Sequence, residues 1–246
     1  MMERFNRKAV LCTAFLVFFS MYSGPSLAGM GVSPVLVNLS DQITKGAVEV
    51  SNQDDISRSY QVEIVAWSQT EEQREEYAPT EDVLVVPPLF TLGPGESQQV
   101  RVGMLAPADP DVERAFRMFI TELEPPPISG EKKVGLTMRL QMGLPVFIAP
   151  ASAKPKVALQ YAASFKADSE VFVRFRNDGN VHIKVTEVRF KARGSDEWLK
   201  KPSVFYMLPG STGLLPFALP EGASAGTMVI VTDTRGELTY ELAEAT

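Results

Sequence analysis

The chain has almost no cysteine and almost no histidine: Cys12 and His182 are the sole examples among 246 residues. A single thiol forms no internal disulfide, and Cys12 lies in a segment expected to be removed. The mature chain is therefore expected to have neither disulfide nor thiol chemistry and to draw its stability from core packing. The scarcity of histidine argues against hydrolytic catalysis, because a nucleophile needs a base and that base is usually histidine. His182 sits on a strand after the turn Asn177-Asp178-Gly179-Asn180 with no companions for acid-base or metal chemistry. It reads as a structural hydrogen-bonder. No zinc-ligand spacing, phosphate-cradling glycine loop or nucleophile elbow is present, so no metal, no cofactor and no catalytic residue are expected, and the chain is not read as an enzyme. Positive charge is also short, with 24 Lys and Arg against 30 Asp and Glu. An acidic chain without a long basic run is a poor nucleic-acid binder. The acidic cluster Glu71, Glu72, Glu75 and Glu76 reads as a solvated loop face.

The N-terminus carries Arg4, Arg7 and Lys8, then an apolar run over residues 9–22, then the small residues Ser26 and Ala28. That order is expected of a secretory signal peptide cut after Ala28. The run is short for a bilayer span and is followed by Gly24 and Pro25, and no later segment approaches membrane length, so no membrane insertion of the mature chain is expected. Cleavage removes three cations and one anion, which takes the net charge from −6 to −8. The roughly 220 residues that remain suffice for two domains of about 100 residues, each able to bury a core.

Segments 32–39, 47–51 and 60–67 are rich in β-branched and aromatic residues and are separated by turn formers such as Asn52-Gln53-Asp54-Asp55. Segments 83–86, 98–104 and 116–123 follow, with the turn Leu92-Gly93-Pro94-Gly95 between them. About seven strands without an amphipathic helix is the count of an immunoglobulin-like sandwich. A polar, proline-rich stretch over 124–133 reads as a loop, and Ala149 to Pro155 as a short linker. A second all-β region runs through 157–161, 171–176, 181–190, 214–219 and 228–232, punctuated by the Leu208-Pro209-Gly210 turn. The fold class expected is all-β: two immunoglobulin-like β-sandwich domains, 29–150 and 151–246, joined by a short hinge with a cleft between them.

From Val134 to Ile148 every even-numbered residue is apolar: Val134, Leu136, Met138, Leu140, Met142, Leu144, Val146 and Ile148. Side chains alternate between the faces of a strand, so this row lies along one face of a single long strand. An alternating strand ordinarily fills its own domain's core. A strand this long instead offers unpaired backbone groups and apolar side chains, a hazard unless the edge exists to pair with another chain. It reads as a strand to be donated.

The motifs Pro34, Asn52, the strand 61–67, Val86-Pro87-Pro88 with Phe90, Pro94-Gly95 and Gln99-Val100-Arg101-Val102 resemble the first domain of PapD-like periplasmic pilus-assembly chaperones of chaperone-usher systems. The second domain is similar more loosely, through Asn177-Asp178-Gly179-Asn180-Val181-His182 and Pro209-Gly210. The resemblance implies a protein that folds and caps pilus or fimbrial subunits by lending its seventh strand and delivers them to an outer-membrane usher. The donor row is then Val134, Leu136, Met138 and Leu140, extended by Met142. In the family's well-known members a basic pair in the cleft holds the subunit's C-terminal carboxylate, but the matching positions here are Asn38 and Pro145. Leu144-Pro145-Val146-Phe147-Ile148 resembles the divergent archaic branch, in which the anchor is expected elsewhere. Arg117, a cation inside an apolar strand, is the first candidate anchor and Arg101 the second. The alternative is a secreted tandem immunoglobulin-like binding or structural module with no assembly role.

Overall fold

The structure, a computed structural model, describes residues 29–70, 74–123, 139–167, 170–218, 226–233 and 236–242, and among these every regular element is a β-strand. The expected signal peptide and the donor-row residues Val134, Leu136 and Met138 lie outside the described residues.

The first sandwich contains β1 (Met30–Ser33), β2 (Val37–Leu39), β3 (Lys45–Asn52), β4 (Arg58–Gln69), β5 (Glu75–Pro79), β6 (Val83–Val86), β7 (Leu89–Leu92), β8 (Ser97–Met104), β9 (Arg114–Leu123) and β10 (Gln141–Ile148). One sheet has the order β1-β3-β8-β6 and the other β2-β10-β9-β4-β5, with β7 also paired to β4. The segment read as one strand over 32–39 divides at Pro34, which has no N–H to continue a ladder. Its first half pairs antiparallel with β3 and its second half runs parallel to β10. One chain segment thus belongs to both sheets.

Alternation sets the core between the sheets. Val48, Val50, Val100 and Val102 meet Tyr60, Val62, Phe116, Met118, Ile120, Leu144, Val146 and Ile148, all buried. Each such side chain contributes about 1.5–3 kcal/mol. Asn52 closes one corner from inside. Its Nδ2 donates to the carbonyls of Ile56, Leu92 and Gly93 at 2.8, 3.1 and 3.1 Å, and its Oδ1 accepts from the Asp54 N–H at 3.0 Å.

The second sandwich contains β11 (Leu159–Ala167), β12 (Glu170–Asn177), β13 (Ile183–Ala192), β14 (Leu199–Met207), β15 (Thr212–Ala218), β16 (Gly226–Thr232) and β17 (Gly236–Leu242). Its sheets are β11-β12-β15 and β14-β13-β16-β17. Its core of Val173, Phe175, Ile183, Val185, Val188, Phe190, Met207, Met228 and Ile230 is separate from the first. Asn177 repeats the corner of Asn52, donating to Val181 and Met207 carbonyls at 2.9 and 3.1 Å.

The linker is held rather than free. Ala151, Ser152 and Ala153 donate backbone bonds to Asp109 and Pro110. Between the sandwiches, Trp67, Phe147 and Leu208 form a small buried cluster. Gln69 donates to the Tyr206 carbonyl at 2.8 Å and accepts from the Leu208 N–H at 2.9 Å. His182 is the structural hydrogen-bonder expected: Nδ1 and the backbone N lie 2.7 and 2.8 Å from Glu113 Oε1. Its ring stacks on Phe147 at 3.7 Å with 10° between planes.

Candidate functional site

The site is built on the two faces of β10 and on the edge it leaves open. On one face, Leu144, Val146 and Ile148 are buried in the first core, and Met142 packs against it half-buried. Gly143, Pro145 and Phe147 belong to the other face, where Phe147 meets His182 and Tyr206 of the second sandwich. The parallel partner β2 covers only Val146, Phe147 and Ile148. Among the described residues, Gln141 to Pro145 have no strand on that side, while β9 pairs with them on the other. Leu140 precedes β10, is 40% exposed, and is tied to β9 through the Glu122 N–H. The described part of the long strand therefore begins at Gln141, and Leu140 stands beside it rather than in it.

The cleft-facing side carries the charged chemistry. In the register of the sheet, Arg117 lies between Pro145 on β10 and Val65 on β4, and Trp67 lies opposite Tyr77 on β5. The Arg117 guanidinium sits over the Trp67 ring, 3.8 Å from its centroid. Its Nη2 is 3.0 Å from Glu75 Oε1, with the Arg117 side chain 12% exposed and that of Glu75 41% exposed. Tyr77 donates to the other Glu75 oxygen, and its ring meets Phe119 edge-on at 5.2 Å. Burial, and after it the hydrogen bond to Glu75, push the Tyr77 hydroxyl above its ordinary value, so it stays protonated as a donor. Gly143 makes room for this cluster: a Cβ there would lie 3.0 Å from Phe119 Cε1 and 3.4 Å from Arg117 Cδ. The Trp67 Nε1 is buried without a hydrogen-bond partner.

Two expectations need correction. The acidic cluster is not wholly a solvated loop: Glu75 and Glu76 belong to β5, and Glu75 is the ion-pair partner of Arg117. Arg101 does not join Arg117, because β8 belongs to the opposite sheet. It lines an open groove on that sheet's outer face with Lys45, Leu84, Val86 and Gln99. Asn38 and Pro145 do lie on the cleft side, Asn38 opposite Phe147 and Pro145 opposite Arg117. Trp67, Glu75 and Tyr77 were missed. The alternation of β4 carried part of the signal, since Val65 and Trp67 must face away from Ile64 and Ala66, which pack on the core.

Residues 29–154 match the family of pili and flagellar-assembly chaperones through its PapD N-terminal domain. The chain belongs to this family. The chaperone's fold is also that of solved structures at low identity. It is similar to a chain of the CsuC–CsuE chaperone–tip adhesion subunit pre-assembly complex from archaic Csu pili of Acinetobacter baumannii, at 16% identity and a TM-score of 0.65, covering 87% of this chain and 98% of that one. It is similar to a chain of the Salmonella enterica SafA pilin–SafB chaperone complex, at 16% identity and a TM-score of 0.58, covering 89% and 99%. The E. coli chaperone DraB matches at 19% identity and a TM-score of 0.55, covering 89% and 97%. No curated protein sequence matches the chain. The matched family is one of pilus-assembly chaperones, and the architecture is its pair of immunoglobulin-like sandwiches.

Proposed function

We propose that this chaperone is exported to the periplasm, caps pilus subunits by donor-strand complementation and delivers them to an outer-membrane usher. The observation that supports this best is the open edge of β10: five consecutive residues, Gln141 to Pro145, lack a strand on the β2 side among the described residues. A subunit lacking its last strand would pair with that edge and receive the apolar row Val134, Leu136, Met138, Leu140 and Met142. The occurrence of pilin and tip-adhesin complexes among proteins of the same fold supports subunits as the partner class.

Arg117 is the proposed anchor for the subunit's C-terminal carboxylate. Its guanidinium is on the cleft side, beside Pro145 in the ladder, and it rests over the Trp67 ring. Arginine binds both oxygens of a carboxylate at once, which Asn38 and Pro145 cannot do. Arg101, on the outer face of the other sheet, is left out of the proposed anchor.

The test is capture of a pilus subunit co-expressed with the chaperone, with the subunit's C-terminus free or amidated. The wild type is expected to prefer the free carboxylate. Arg117→Ala is expected to lose that preference and Arg139→Ala, at an exposed position before β10, to keep it. Full retention of the preference by Arg117→Ala, with folding verified by thermal unfolding, removes Arg117 as the anchor. Failure of the wild type to capture any subunit overturns the function itself.

A further inference from the structure

We infer that Glu75 is a resident occupant of the Arg117 site, a carboxylate that the subunit's terminal carboxylate must displace, so that Glu75 sets how strongly the anchor discriminates. This inference rests on the function proposed above and adds a competitor to it.

The two partners of the ion pair are held very differently. Arg117 projects from β9, a central strand flanked by β10 and β4, and its guanidinium is pinned against Trp67. Glu75 projects from β5, the outermost strand of the same sheet, in which all five residues are exposed. When the pair separates, the movement therefore falls on Glu75. An edge strand paired on one side opens locally at low cost, while the centre of a sheet does not.

The geometry of the pair is also that of a substitute. Glu75 divides its oxygens, one toward Arg117 Nη2 at 3.0 Å and the other accepting from the Tyr77 hydroxyl. It therefore does not meet the guanidinium fork with both oxygens. A free carboxylate approaching from the cleft has no such second commitment and can align bidentately, which is the stronger arrangement. In the empty chaperone Glu75 compensates a cation that is nearly removed from water, where an unpaired charge is costly. On subunit arrival the same carboxylate becomes a like charge beside the incoming one, and it has solvent to retreat into.

The opposite sign of two measurements separates this role from a merely structural one. Glu75→Gln keeps the side chain's size and removes its charge. It is expected to lower the thermal stability of the empty chaperone, because Arg117 loses its partner. It is also expected to tighten capture of a co-expressed pilus subunit with a free C-terminus about fivefold, the range of an exposed ion pair, and to leave the amidated subunit unchanged. In an Arg117→Ala background Glu75→Gln should change neither. If Glu75→Gln lowers both stability and capture, or leaves free-carboxylate capture unchanged, Glu75 is only a structural partner and the inference fails while the anchor stands. If Arg117→Ala keeps the free-carboxylate preference, the anchor fails and the inference with it. If the wild type captures no subunit at all, the chaperoning function on which both rest is what has failed.

Discussion

Leu140→Glu separates the cost of a substitution to the chaperone from its cost to the complex. In the chaperone alone Leu140 is 40% exposed, and the bond it accepts from the Glu122 N–H belongs to the backbone. A glutamate there keeps that bond and reaches solvent, so the loss in folding stability is expected to stay below about 1 kcal/mol, the scale of a surface substitution. In the complex proposed above, Leu140 would enter the subunit's groove as part of the donor row. The substitution then removes about 1.5–3 kcal/mol of leucine burial and adds a carboxylate without a partner, which costs roughly 2 kcal/mol or more. A combined loss of about 4 kcal/mol raises the Kd roughly a thousandfold. Val86→Glu is the control: Val86 is 47% exposed, comparable to Leu140, but lies on the other sheet. The assay is co-purification of a pilus subunit alongside thermal unfolding of each free variant. Unchanged subunit yield with Leu140→Glu, or an equal loss with Val86→Glu, refutes the donor-strand reasoning.

Asn52→Ala leaves the Leu92 and Gly93 carbonyls without their side-chain donor and is expected to destabilise the first sandwich by about 2–6 kcal/mol, at about 1–3 kcal/mol for each unsatisfied group; calorimetry should show the first sandwich melting earlier with the second unchanged, and an unshifted transition would dismiss the corner bonds as stabilising. Glu113→Ala removes the single oxygen that accepts from both the ring and the backbone of His182, and small-angle scattering should then show a broader distribution of interdomain separations; an unchanged profile would mean that the cluster of Trp67, Phe147 and Leu208 and the Gln69 bonds suffice to hold the angle.

Central strands were legible in the sequence, and so were the apolar edge strands β6 and β15, whereas the edge strands β5, β7 and β14 were not, for a physical reason. β4 and β9 bury one face against the core, so Tyr60, Val62, Ile64 and Phe116, Met118, Ile120 alternate with polar or cleft-facing residues. β5, β7 and β14 pair with one neighbour each, and β5 is exposed throughout while β7 and β14 are exposed along about half of their length. Edge strands carry charge and proline that discourage pairing with other chains, and this composition erases the period-two pattern. Lys200, Lys201 and Pro202 in β14 and Glu75 and Glu76 in β5 are examples. The site suffered in the same way. Arg117 stood out as a cation in an apolar strand, but its partner Glu75 is 42 positions away on a segment whose composition indicates only solvent. Arg101 and Arg117 look equally plausible by local pattern, and what separates them is the sheet each strand joins, which local pattern does not encode.

The alternation of β10 explains how one strand serves two purposes without conflict. Its even residues Met142, Leu144, Val146 and Ile148 face the core, so they are matched to apolar surface. Its odd residues face the cleft, where Gly143 leaves space for Phe119 and Arg117 and Phe147 receives the His182 ring. Because successive side chains point oppositely, an apolar groove and a carboxylate anchor can be addressed by adjacent positions of the same strand. A one-residue slip would exchange these faces and put Pro145 and Phe147 into the core. The second sandwich opposes such a slip from outside: Phe147 is stacked on His182, His182 is held by Glu113, and Trp67 is packed against Tyr206 at 5.7 Å. The second sandwich thus supports the register of the first sandwich's last strand and steadies the tryptophan beneath the proposed anchor. Interface variants such as Glu113→Ala should therefore weaken the preference for a free carboxylate before they weaken capture by the apolar row.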